Sequence, residues 1–215
     1  MSRVPQPQGE RGSLKWIQAF IERAPDALVP QGLDSIEWLS PLRSDAFAEY
    51  RDTAFLEVLG LGQQAEALRA FWPRSGPQWD ALGRSGDTVI LVEAKAHLRE
   101  FFSPGTQAGP ASKAVIGEAL AQVKTALGAR DVSDWSQLFY QYTNRLAFLW
   151  WMRSRGIDAR LLFISFVGDV EMSGPSSAAE WNAAFTTAEH ALGLNSRHVL
   201  SRYVHHIYPD VGALR

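Results

Sequence analysis

Three residues of the sequence have the types and spacing to do chemistry together: Asp80, Glu93 and Lys95. Glu93 and Lys95 lie in the segment Thr88–Leu98, "TVILVEAKAHL", directly after the run Val89-Ile90-Leu91-Val92, which has the character of a strand buried in a sheet. Charges are seldom buried there without a partner or a task. "PQWDALGR", "RSGD" and "TVILVEAKAH" read as strand, turn and strand. With Ser85 and Gly86 as a two-residue turn, Arg84 faces Asp87 and Asp80 falls opposite Leu91, so Glu93 is a diagonal neighbour of Asp80. Side chains alternate across a strand, so Val89, Leu91, Glu93, Lys95 and His97 share a face with Asp80. Diagonal neighbours lie about 7–8 Å apart, close enough for two carboxylates to converge on one ion. A hard cation such as Mg²⁺ or Mn²⁺ takes such oxygen ligands and keeps waters for phosphate groups. An adjacent ammonium can orient water or stabilise charge growing on a phosphate. The competing reading is that the apolar strand ends at Val92 and the charges are solvated.

The elements around this hairpin follow an α/β order. Residues 1–13, polar and rich in Pro and Gly, read as a disordered tail, and residues 14–215 as a single domain. "SLKWIQAFIER" forms an amphipathic helix with Ser13 as N-cap. A longer helix is expected from about residue 44 to 59, and residues 63–72 are ambiguous. After the hairpin come helices over about 111–127 and 133–155, each closed by a glycine. The strand "ARLLFISFVGD", a helix through "SAAEWNAAFTTAEHALG" and a last strand in "HVLSRYVHHIY" complete the order. It predicts a mixed sheet flanked by helices.

Composition narrows the function. The chain has 215 residues, a formal net charge of -2 and no cysteine, so disulfides, thiolate metal sites and thiol nucleophiles are excluded. A nucleic-acid partner must therefore be met by a local patch and not by the global field. No apolar run is long enough to span a membrane, and the N-terminal segment has no apolar signal region; a cytoplasmic protein is expected. The motifs of P-loop, zincin, serine-hydrolase and dinucleotide-binding proteins are absent.

Asp80, followed after twelve residues by Glu93-Ala94-Lys95, resembles the PD-(D/E)xK nuclease superfamily. The resemblance covers roughly residues 44–168. It implies a restriction-endonuclease-like core of helix, three antiparallel strands, helix and strand, and a metal-dependent nuclease acting on nucleic acid, DNA in preference to RNA. By this resemblance Asp80 and Glu93 hold Mg²⁺ or Mn²⁺, the Ala94 carbonyl completes the site, and Lys95 is the catalytic lysine. Glu49, or else Glu57, would be the family's upstream helical acid, eight residues apart on nearly one helix face. Tyr140 and Gln141 loosely resemble a Gln and a Tyr that touch substrate in some branches, without the usual spacing. The proline is not adjacent to Asp80, and the first core strand is not visible before Pro73. The alternatives are a catalytically silent binding or regulatory module on the same architecture, and a small-molecule phosphodiesterase. A homodimer is left open.

Several residues have simpler structural readings. Trp135, Phe139, Leu146 and Trp150 form a core stripe, and Gln137, Gln141, Asn144 and Arg145 a polar one. Arg84, Arg145 and Lys113 are candidate backbone guides. His97 reads as a structural strand-end histidine and Glu100 as a solvated charge. His205 and His206 point to opposite faces and cannot chelate together.

Overall fold

The computed structural model describes residues 2–214; Met1, the first residue of the expected tail, and Arg215, the last of the expected domain, lie outside them. The helices are α1 (Gly12–Arg23), α2 (Ala54–Val58), α3 (Ala65–Phe71), α4 (Leu98–Phe101), α5 (Pro110–Ala126), α6 (Tyr140–Ser154) and α7 (Ala178–Ala191). The strands are β1 (Ser2–Val4), β2 (Glu37–Ser40), β3 (Glu49–Arg51), β4 (Ala81–Ser85), β5 (Thr88–Lys95), β6 (Ala159–Ser165) and β7 (Val204–Ile207). Five of them make a mixed sheet in the order β2-β4-β5-β6-β7. β4 runs antiparallel to both β2 and β5, whereas β6 is parallel to both β5 and β7. A parallel neighbour requires a crossover, and α4, α5 and α6 supply it between β5 and β6. Among the described residues no helix is long and apolar enough to cross a membrane.

Both faces of β5 are buried, and its sequence divides the work between them. Ile90, Val92, Ala94 and Ala96 face one cluster with Trp16, Ile17, Phe20 and Ile21 of α1, where the rings of Phe20 and Phe166 stack at 5.4 Å. Val89 and Leu91 face the larger cluster, built on α6 and rich in aromatic rings, including Trp79, Phe55 and Phe148. Burying a Val, Leu or Ile side chain contributes about 1.5–3 kcal/mol. The apolar start of β5 thus anchors the strand, and the same face then continues into Glu93 and Lys95.

The α/β class and the mixed sheet agree with the sequence reading, and several local elements differ from it. Residues 2–4, inside the expected disordered tail, pair with β3 as β1, and the Gln18 side chain holds Pro7 and Gly9. α1 starts at Gly12, and Ser13, expected as its cap, donates instead to Glu100. The helix expected over 44–59 is replaced by β3 and the short α2. Ala46, Phe47 and Asp52 adopt φ of 51°, 47° and 54°, left-handed backbone that a continuous helix cannot contain. The first strand of the sheet, invisible before Pro73, is β2. α6 begins at Tyr140 and not near 133, because the preceding chain turns and Phe139 sits at φ 49°.

The hairpin turn is displaced by one residue from the expected position. Ser85 pairs with Thr88 and Ala81 with Val92, so Gly86 and Asp87 form the turn, with Gly86 at φ 56°. Continuing the ladder by one residue puts Asp80 directly opposite Glu93, not diagonal to it. The register moves by two residues, so the face is unchanged.

Candidate functional site

Glu93 and Lys95 lie near the end of β5, where it outruns its partner. The β4–β5 ladder stops at Ala81 and Val92. Beyond it the Ala94 N–H donates to Asp80 Oδ2 at 2.7 Å, so a carboxylate takes the place of the next strand carbonyl. Within one extended residue the N–H and C=O point to the same edge, so the Ala94 carbonyl is directed toward the Asp80 side of β5. Asp80 makes no other hydrogen bond among the described residues and is half-buried.

Glu93 is 3% and Lys95 8% exposed. The Lys95 ammonium contacts Glu93 Oε1, and the Arg145 guanidinium contacts Glu93 Oε2, with Nε at 2.6 Å. Arg145 also donates to the Gln78 carbonyl at 2.7 Å and to Asn144 Oδ1 at 3.0 Å, and it lies over the Trp79 ring at 4.7 Å. Burying these charges is costly, and the mutual arrangement offsets it. Burial alone would raise Glu93, but Arg145 and Lys95 hold it below the usual carboxylate range. Burial likewise opposes the Lys95 charge, but Glu93 and Asp80 outweigh it and raise the ammonium. Asp80 has the opposite balance: burial and then the Glu93 charge push it well above the usual range, with Lys95 only partly compensating.

Glu49 belongs to the same cluster through β3 and not through a helix. Trp79 N–H donates to the Tyr50 carbonyl at 3.0 Å, which ties β3 to the chain just before Asp80. Glu49 Oε2 accepts from Gln78 Nε2 at 2.5 Å and from Gln6 Nε2 at 3.1 Å. Burial raises its pKa, the Gln78 amide opposes this, and Glu93 adds to it. Glu57, the other candidate acid, is exposed on α2 and does not line the cleft.

These groups form the floor of a cleft of ≈ 390 Å³. One wall is Ser75–Gln78; another is the loop Ser103–Gln107 with Tyr140, Gln141 and Asn144 of α6. The loop is fastened to the chain before α6 and to its first turn: Thr106 N–H donates to the Ser136 carbonyl at 2.8 Å, and Gln141 N–H to Ser103 Oγ at 2.9 Å. Burial raises the pKa of Tyr140. The cleft thus gathers Asp80, Glu93, Lys95, Glu49, Tyr140, Gln141, Asn144 and Arg145. Gln137 is exposed and outside it. Arg84 donates to the Leu59 carbonyl, and Lys113 is exposed on α5; neither lines the cleft. His97 caps α4, its Nδ1 accepting from Glu100 N–H at 3.3 Å. Glu100 is more than a solvated charge, since it accepts from Ala96 N–H at 2.9 Å. Phe163 and Phe185 flank the His206 ring, whose pKa burial lowers to about 4.

The sequence reading did not assign Gln78 or the 103–107 loop to the site. The only signal for the loop was its run of Ser, Pro and Gly soon after the charged strand. No group of three or more His, Cys, Asp or Glu is gathered as a metal-ligand set among the described residues. The donors suited to a hard cation are two carboxylates, Asp80 and Glu93, with the Ala94 carbonyl. Mg²⁺ is commonly held by one or two carboxylates and water, and Glu93 Oε1, contacted by Lys95, keeps a second lone pair. No family model matches this chain, and no curated protein or solved structure does either.

Proposed function

We propose that this protein is a metal-dependent nuclease that hydrolyses phosphodiester bonds of nucleic acid, with Mg²⁺ or Mn²⁺ as cofactor. The observation that carries the reading is that Asp80, just past the β4–β5 ladder and held by the Ala94 N–H, lines one cleft with Glu93 and with Lys95, which contacts Glu93. The element order supports it as well: with β3, α2 and α3 set aside, α1, β2, β4, β5, the crossover helices and β6 resemble the helix, three antiparallel strands, helix and strand that the motif implies. A cytoplasmic setting belongs to the same proposal.

In this reading Asp80, Glu93 and the Ala94 carbonyl hold the cation, which supplies Lewis acidity and lowers the pKa of water. Glu93 stays ionised through Arg145 and Lys95. Lys95, held by Glu93, presents positive charge where a phosphate would gain negative charge. Arg145 fixes Glu93 and the Gln78 backbone together and so acts as a positioning residue.

A second reading, a nuclease-like binding module without cleavage activity, is favoured by one observation: both Glu93 oxygens are already engaged by cations. Cleavage assays on single- and double-stranded DNA and RNA with Mg²⁺ or Mn²⁺ separate the two. The nuclease reading expects metal-dependent cleavage that Lys95→Met reduces by about 10²-fold or more while the far-ultraviolet circular dichroism is retained. Binding without cleavage under all these conditions would establish the module instead. Cleavage of small phosphodiesters alone would make the protein a small-molecule phosphodiesterase.

A further inference from the structure

The segment that follows the charged end of β5 carries an apolar surface that the site chemistry leaves unused. Phe102 is 60% and Leu98 38% exposed on that segment, and Leu138, just before α6, is 36% exposed. Phe102 immediately precedes Ser103, and its ring lies 5.0 Å from that of Phe139, which immediately precedes Tyr140. Both Ser103 and Tyr140 line the cleft. The exposed ring is thus one residue away from the cleft wall on its own segment and packs on a ring one residue away from it on the other. The wall itself is firmly fastened, so the ring is presented by an ordered backbone.

We infer that the substrate class of this cleft is unpaired nucleic acid, a single strand or a frayed end, with Phe102 as a stacking surface for a base at the rim. The inference rests on the nuclease reading and specifies its substrate. Three observations carry it. A cleft of ≈ 390 Å³ falls at the lower end of pockets that enclose one small molecule, about 300–1,000 Å³, which suits a nucleotide unit. Duplex binding depends on cations placed along two phosphate backbones, yet among the described residues the cations lining the cleft, Lys95 and Arg145, both contact Glu93 at its floor, where they can serve one phosphate and not two backbones. The walls also carry neutral amides: that of Gln141, and those of Gln78, Gln107 and Asn144, which each hold a protein partner and keep further donor and acceptor positions for the exposed edges of unpaired bases. Single-strand binding combines aromatic stacking with a basic contribution. Exposed Arg99, on the same segment as Phe102, and exposed Arg74, beside the Ser75–Gln78 wall, are placed to supply the latter.

Binding is read by fluorescence anisotropy with a short labelled single strand and with the same sequence as a blunt duplex, in a chelator so that no cleavage runs. The single strand is expected to bind more tightly. Phe102→Ala should weaken it by about tenfold, Phe102→Trp should restore it, and both variants should keep the parent melting temperature. Hydrolysis of bis(p-nitrophenyl) phosphate by the parent protein with Mg²⁺ reads the nuclease chemistry separately from strand binding. Equal or tighter binding of the duplex overturns the inference. So does unchanged single-strand binding in Phe102→Ala, no binding of either probe, or loss of a homodimer on gel filtration when Phe102 is replaced. Phosphodiester hydrolysis with single-strand binding indifferent to Phe102 would sink this inference and leave the nuclease reading standing. Phe102-dependent binding with no hydrolysis would sink the nuclease reading and leave single-strand binding at this rim standing.

Discussion

Replacing Asp80 by asparagine should make the protein more stable at neutral pH. Asp80 is half-buried opposite Glu93, and burial and that charge raise its pKa well above the usual carboxylate range. The folded state therefore binds the Asp80 proton more tightly than the unfolded state does. The resulting stability is fully present below the unfolded pKa and is lost as pH rises through the folded pKa. Above its folded pKa the ionised carboxylate is thus a net cost, about 1.4 kcal/mol for each unit of elevation. The substituted amide removes the charge and keeps an oxygen to accept the Ala94 N–H, which Asp80 now accepts at 2.7 Å. One kcal/mol moves the melting temperature of a chain of this length by roughly 2–4 °C, so each unit of elevation corresponds to a gain of roughly 3–6 °C. Thermal unfolding of both proteins in a chelator, across a pH series, reads this directly. The gain should be present at neutral pH and vanish at pH values below the unfolded carboxylate range. A lower melting temperature for Asp80→Asn at neutral pH, or a gain of equal size in acid, would refute the reasoning.

Three further outcomes are expected. Arg145→Met leaves Glu93 buried with Lys95 alone, a loss of about 3–5 kcal/mol that chemical denaturation measures; pairing it with Glu93→Gln should recover a substantial part. Mg²⁺ or Mn²⁺ should raise the melting temperature of the parent protein, because a ligand that binds only the folded state stabilises it, and should leave Asp80→Asn nearly unmoved in a fluorescence melt. Gly105→Ala should cost about 1–3 kcal/mol and loosen the cleft wall, seen as faster amide exchange over 103–107, since a Cβ there would meet the Gln137 Cα at 2.9 Å.

What the sequence disclosed of this site was what short-range pattern can carry. An apolar run ending in Glu93 and Lys95 after a turn fixes which face those side chains share. The turn was misplaced by one residue, but this moves a hairpin register by two and leaves each side chain on its face. That is why Asp80, Glu93 and Lys95 were grouped on one face although their pairing was not as expected. Glu49 was less legible. "FAEYRD" has a helical pattern, and its strand exists because β1, far away in sequence, pairs with it. Local propensity yields to such tertiary pairing. Gln78 was hidden for a related reason: its amide meets Glu49 only because a bridge between Tyr50 and Trp79 joins the two segments. The helical stripe of α6 was read in advance and delivered Gln141, Asn144 and Arg145 to the cleft, while its start was set too early.

The bond from the Ala94 amide to Asp80 gives the protein a built-in spectroscopic reporter. An amide proton donated to an ionised carboxylate resonates at lower field than one donated to a neutral carboxyl, and a cation drawing on the same carboxylate would shift it again. In a nitrogen-15-labelled sample the single cross-peak of Ala94 would therefore follow the protonation and the metal occupancy of Asp80 in one titration. The central strand would be observed in its native sequence, with no substitution, dye or substrate added.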